Sequence, residues 1–329
     1  ILLFSFLTLF FTYLIGKELF NKKIGIIASL LLLFTPIFFS YSALLILAMP
    51  LTAFTVITMY FATKNKLPLY FIFGLLLVFT ELTGILVIVG IVLYNILERK
   101  NIKKILIYSL PLLIFLFWVM LNKIYYGHFF YPVGPSLIKI NLIKNLFNFL
   151  LILKTIFFDQ YRWLLSSIFL LSFVNIKKLN YKNTIIYLII SFLFFILFYN
   201  INFFIKSLID YYPNIENYFS IIKSFSILFS FLIFMFLLYC KNIFELIKSK
   251  TLLIIPFTII ILAHIFIIPF SPRYILFTFP LIFLFFAFSI EKIYKKYSYI
   301  IVMLIIILFS LNFTGNRDSV GFTLEDNLE

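Results

Sequence analysis

A chain of 329 residues that is 64% hydrophobic and 12% charged, with a mean hydropathy of +1.16, is not a soluble domain, since such domains run roughly 45–50% apolar and about 25% charged. The net charge of +15 comes largely from lysines placed between apolar runs, which suits membrane topology and anionic head groups rather than nucleic acid. Two histidines and one cysteine exclude a zinc-type ligand cluster and an intrachain disulfide.

In chain order, apolar runs near 1–16, 24–40, 43–62, 67–80, 84–97 and 105–122 read as helices in a bilayer, each crossing taking about 20 mostly apolar residues. A second set follows near 160–175, 184–199, 219–239, 252–270, 274–290 and 298–312. The fold class expected is all-α, a polytopic transmembrane helical bundle of about 12 spans. Runs such as IGIIASLLLLF are apolar all round, as a membrane-buried helix is, whereas a β-barrel needs alternation.

Basic residues orient the bundle, because Lys and Arg in short loops mark the cytoplasmic side. Alternate breaks, from Lys17, Lys22 and Lys23 to Lys292, Lys295 and Lys296, hold 18 of the 27. The other nine spread over longer segments on the opposite side, where loops of that length carry function more often than the short inner breaks. One such segment, 123–159, opens with turn residues at Gly127, Pro132, Gly134 and Pro135 and continues as an interfacial amphipathic stretch. Another carries Asp210, Tyr211, Tyr212 and Glu216.

Single residues on the outward side draw attention. Glu81, between LLLVFT and LTGILVI, is costly in a bilayer and either faces a cavity, pairs with a basic residue, or stands exposed at the tip of a short hairpin. The spans beside it are only about 14 residues long, which would recess it. His264 lies just inside the outer end of its span, placed either to donate to a ligand or to bond a neighbouring helix. His128 stands beside Tyr125, Tyr126 and Tyr131, a grouping that suits sugar stacking and equally an interfacial aromatic belt. Arg273 and Tyr274, in FSPRYILFTFP, place a lone cation at the outer membrane surface.

The stretch YLIGKELFNKKIGIIASLLLLFTPIFFSYSALLILAMPLTAF resembles the second to fourth helices of the GT-C membrane glycosyltransferases, near the protein O-mannosyltransferase and lipid A aminoarabinose transferase branch. Gly16, Lys17, Leu19 and Phe20 match that family's helix-ending turn; Gly25 and Ala28 match its next opening, and Pro36 its close. LPLLIFLFWVMLNKIYYGHFFYP and HIFIIPFSPRYILFTFP are similar to two later segments of the family.

The resemblance implies sugar transfer from a polyprenyl-phosphate donor, on the outer face of a cell membrane, to a protein, lipid or glycan acceptor. It implies a transmembrane domain over 1–312 that lacks the family's first helix and first outer loop, with 313–329 beginning an extracytoplasmic C-terminal segment. The catalytic acid would then lie upstream of Ile1, and substrate contacts would fall to Arg273, Tyr274, His264, Glu81, Tyr126 and His128. Arginine's planar fork matches phosphate oxygens, which gives Arg273 the carrier phosphate, against a helix-anchoring role. Leu51 and Glu81 depart from the family pattern, which leaves metal handling, a divalent ion or none, and activity open. The other readings are an exporter or flippase of lipid-linked glycans and a non-catalytic relative.

Overall fold

The computed structural model describes residues 1–44, 46–128, 149, 152–172, 189–190, 192–193, 196, 230, 250–266 and 275–311. Its chain divides into two compact units, Ile1–Leu165 with Lys250–Glu329, and Ser166–Ser249. The helices of the first unit are α1 (Leu2–Leu19), α2 (Lys22–Phe34), α3 (Pro36–Ala43), α4 (Ala48–Thr63), α5 (Leu67–Thr80), α6 (Gly84–Leu97) and α7 (Ile102–Tyr126). After α8 (Arg162–Leu171), which runs into the second unit, come α9 (Thr251–Phe266), a short 3₁₀ turn at Leu276–Thr278, α10 (Phe279–Tyr294) and α11 (Ser298–Ser310). No strand occurs among the described residues.

Among the described residues, three helices are long and apolar enough to cross a membrane, or four if α2 and α3, bent by 66° at Thr35, form one span. The remaining apolar helices are shorter, 10–17 residues, and at 1.5 Å per residue the longest of these reach about 25 Å, below the ~30 Å of a hydrocarbon core. The helical class is as expected. α7 exceeds the expected span at both ends, and its extra turn absorbs residues 123–126. Gly127 then ends it in the left-handed conformation (φ 76°), its N–H bonding the Lys123 carbonyl at 3.1 Å. Asp210, Cys240, the second-set runs near 184–199 and 219–239, and the polar stretch 313–329 lie outside the described residues, apart from isolated positions.

Small residues set the helix contacts, as expected where lipid supplies no hydrophobic drive between helices. A Cβ on Gly16 would come within 2.5 Å of Gly25 Cα, so α1 and α2 cross backbone to backbone there. Ala28 is fully buried one turn further on, and Pro36 is the first residue of α3, where a missing N–H costs nothing. The residues that carry the family resemblance are therefore those that shape the α1–α3 corner.

The contacts also fix helix directions. Ser29 Oγ donates to Leu9 O on α1 while Gly25 meets Gly16, so α1 and α2 run antiparallel. Phe4 packs on Phe54 and Phe11 on Phe61, so α1 and α4 run parallel. Tyr70 and Phe79 of α5 meet Tyr108 and Phe115 of α7, again parallel. One end of the bundle thereby gathers the lysine-rich breaks. Lys64 pairs with Glu18, Lys250 donates to Leu19 O, Lys23 to Lys295 O, and Thr251 meets Glu98. The Lys64 pKa lies above the usual lysine value, chiefly through its hydrogen bond to Glu18. Two connections at this end close alike. Asn65 and Arg99 take positive φ (52° and 50°), and Lys66 and Lys100 N–H groups reach back to Phe61 O and Asn95 O, as in a Schellman cap.

Candidate functional site

The opposite end holds the residues singled out from the sequence. Glu81 follows the last residue of α5, half-buried and extended (φ −159°, ψ 146°), and its carbonyl accepts from Gly84 N at 2.9 Å. This tight turn lets α6 start at once. In the parallel register of α5 and α7, Gly74 lies against Pro111 and Phe79 against Phe115 and Trp118. The turn is thus level with about residue 118, and α7 runs on for some eight residues, roughly 12 Å at 1.5 Å each. Glu81 is recessed below the tip of α7, as its short flanking helices led one to expect.

His264 is fully buried in the last turns of α9, with Nδ1 2.8 Å from Ile260 O. α6 and α9 are antiparallel: a Cβ on Gly90 would meet Pro256 Cα at 2.4 Å, and Glu98 meets Thr251. Extending that register one residue for one places His264 level with roughly residues 82–85. Glu81 and His264 therefore share one end of the bundle and one depth. Tyr126, 70% exposed, ends α7, and the His128 ring stacks on it at 6.3 Å and 16°. This aromatic pair stands above the recessed turn. Arg273 and Tyr274 lie outside the described residues, immediately before Ile275 where the chain is again described.

A residue that sequence reasoning counted only as an outward basic position proves to be built in. Arg162 is 1% exposed at the start of α8. Its guanidinium donates to Thr155 O and to Gln160 Oε1 (2.8 Å) and lies over the Phe279 ring at 5.2 Å. Gln160 and Tyr161 both take positive φ (54° and 63°), a turn that side chains rarely adopt without being held. Phe157 packs on Phe286 from the same segment, and Lys154 pairs with Asp159 at 3.7 Å. Arg162 thus fastens the 155–161 turn to the first turn of α10, next to the stretch that carries Arg273. The available signal was an arginine directly after the polar turn Asp159-Gln160-Tyr161 in an otherwise apolar segment.

The described residues offer no donor set for a divalent ion, since no three His, Cys, Asp or Glu side chains gather there and Leu51 is fully buried in α4.

A family described as dolichyl-phosphate-mannose-protein mannosyltransferase matches residues 1–125. That family is of the GT-C glycosyltransferase type, and the match supports a likeness to it over those residues. The match runs from α1 to the last turn of α7 and includes Glu81, while Tyr126, His128, His264, Arg273 and Tyr274 follow it. No curated protein and no solved structure matches the chain. Its apolar helices support a membrane-embedded protein, and the family match is consistent with a transferase.

Proposed function

We propose that this protein transfers a sugar, mannose on the family's description, from a polyprenyl-phosphate carrier to an acceptor at the outer face of a cell membrane. The observation that carries the reading is the family match over 1–125, whose motif residues Gly16, Gly25, Ala28 and Pro36 all serve the helix packing. About 12 spans, with the lysine-rich end cytoplasmic and residues 313–329 extracytoplasmic, complete the proposed plan.

In this reading the recessed turn at Glu81 and the buried His264 line the floor of an outward cavity. Tyr126 and His128 stand at its rim, where aromatic faces suit a sugar ring. Arg273 and Tyr274 hold the carrier phosphate, and the guanidinium stabilises charge that builds on it as the glycosidic bond breaks. Arg162 acts through Phe279, keeping the chain after Arg273 in place. The deciding experiment is transfer of labelled mannose from a polyprenyl-phosphate donor by the full-length protein in liposomes; no transfer with any acceptor class would overturn the reading.

Sidedness has its own test. A cysteine introduced between residues 123 and 140 should react with a membrane-impermeant thiol reagent added outside, and one at Lys103 should not. The reverse labelling would invert the bundle and remove the outer-face site.

Glu81 gives a second. If the carboxylate serves the acceptor from the floor of the cavity, Glu81→Gln should lower transfer by about 10- to 100-fold, the loss of roughly one charged hydrogen bond. Expression and binding of the lipid carrier should hold. Unchanged transfer would reduce Glu81 to a hairpin tip.

A further inference from the structure

The lysine-rich end has a feature that topology alone does not require. Among the described residues, the segments 17–23, 64–66, 98–104, 250 and 291–296 bring together 13 Lys and Arg against three Glu. Most of these cations project from exposed turns. Several also rest on aromatic rings, and two of these lie over rings that touch each other. Lys250 lies over the Phe20 ring with its ammonium 4.7 Å from the centroid, and Lys292 lies over Phe288 at 5.9 Å. The two rings touch each other at 5.5 Å, and Phe285 meets Phe20 edge-on at 6.1 Å. The two ammonium groups therefore rest on one aromatic platform, formed where the end of α1 meets the last turns of α10.

Lys250 also donates to Leu19 O at 2.5 Å, which fixes its position without neutralising its charge. Partial burial pulls its pKa below the usual lysine value, the sign of a cation kept out of bulk water. Of the acids near the platform, Glu18 is engaged by Lys64 on α4, and Glu291 adjoins Lys292 in sequence. A pair of cations held over joined rings, at the membrane-proximal ends of α1 and α10, is complementary to a head-group phosphate. Cations near such a surface are worth about 1 kcal/mol each toward anionic lipid, or roughly fivefold in affinity.

We propose that Lys250 and Lys292, on the Phe20, Phe285 and Phe288 platform, form a binding site for the head-group phosphate of an anionic phospholipid in the leaflet beside this end. The site is separate from the sugar-transfer cavity, at the other end of the bundle, and stands whether or not the Arg273 mechanism holds.

The test is titration of the full-length protein in neutral detergent with phosphatidylglycerol, bound lipid being counted by native mass spectrometry. Phosphatidylcholine and inorganic phosphate serve as comparison probes. Phosphatidylglycerol should bind in preference to phosphatidylcholine, and inorganic phosphate should not displace it. Lys292→Gln should weaken phosphatidylglycerol binding about fivefold and the Lys250→Gln, Lys292→Gln double variant about 30-fold. Lys103→Gln with Lys104→Gln removes the same charge from the same end, outside the platform, and should change binding less than about twofold. Lys250→Arg keeps the cation over the ring and should retain binding, which separates loss of the site from loss of the Lys250 contact to α1. Equal effects of the two double variants, equal binding of the two lipids, or displacement by inorganic phosphate would overturn the proposal.

Discussion

Gly90→Ala should lower the thermal stability of the protein by roughly 1–3 kcal/mol, and Gly90→Leu should prevent the first unit from folding. The reason is geometric. A methyl group at residue 90 would sit 2.4 Å from Pro256 Cα and 2.7 Å from its Cβ, and a backbone atom of a packed helix cannot rotate away as a side chain can. Pro256 also leaves α9 one hydrogen bond short at that level, so the two helices fit by what each lacks. The sign makes the test sharp. On a helix face with open space, glycine to alanine raises stability by about 1 kcal/mol through propensity alone, so a stabilised Gly90→Ala in thermal unfolding would mean that α6 and α9 do not pack as described. Because α9 carries His264 to the level of the Glu81 turn only through this register, the same result would dissolve the shared depth of those two residues.

How much of this was legible beforehand depends on the kind of signal. Composition and run length reveal helices well, because an apolar run that must bury its backbone polar groups in lipid has few alternatives. They say little about crossings, because 13 to 16 residues serve equally as a short span or as half of a bent one, and the 66° break between α2 and α3 needs only Pro36. The gathering of lysine-bearing ends was readable from alternation alone. The recession of Glu81 was readable from two helix lengths, although its amount depends on α7 outrunning its apolar core to Tyr126. Arg162 was not readable as a buried residue: an arginine at the edge of an apolar run is more often a snorkelling one, and only the contacts to Thr155, Gln160 and Phe279 separate the cases. The pairing of Gly90 with Pro256 was equally silent, since nothing in either helix alone records the other.

Arg273→Lys should reduce sugar transfer by about 10- to 150-fold, and Arg273→Ala further, with both variants folded. The proposed role requires two parallel hydrogen bonds from one planar group to the carrier phosphate, and lysine keeps the charge while losing the fork. A charge-assisted hydrogen bond is worth roughly 1.5–3 kcal/mol, which converts to that range of rates when the bond tightens in the transition state. An arginine that only anchors a helix end behaves differently, because lysine reaches the interface equally well, and Arg273→Lys would then transfer at nearly the wild-type rate. Arg162 supplies the companion variant. Arg162→Lys should damage the hold on the 155–161 turn and lower thermal stability, because one ammonium cannot serve both Thr155 O and Gln160 Oε1 while covering the Phe279 ring. Arg273→Lys should leave stability untouched. The measurement is initial rate against donor concentration, with thermal unfolding of each variant alongside. A loss confined to kcat in a folded Arg273→Lys protein assigns the residue to the developing phosphate charge. Full activity of that variant would sink the phosphate clamp and leave Arg273 an anchor.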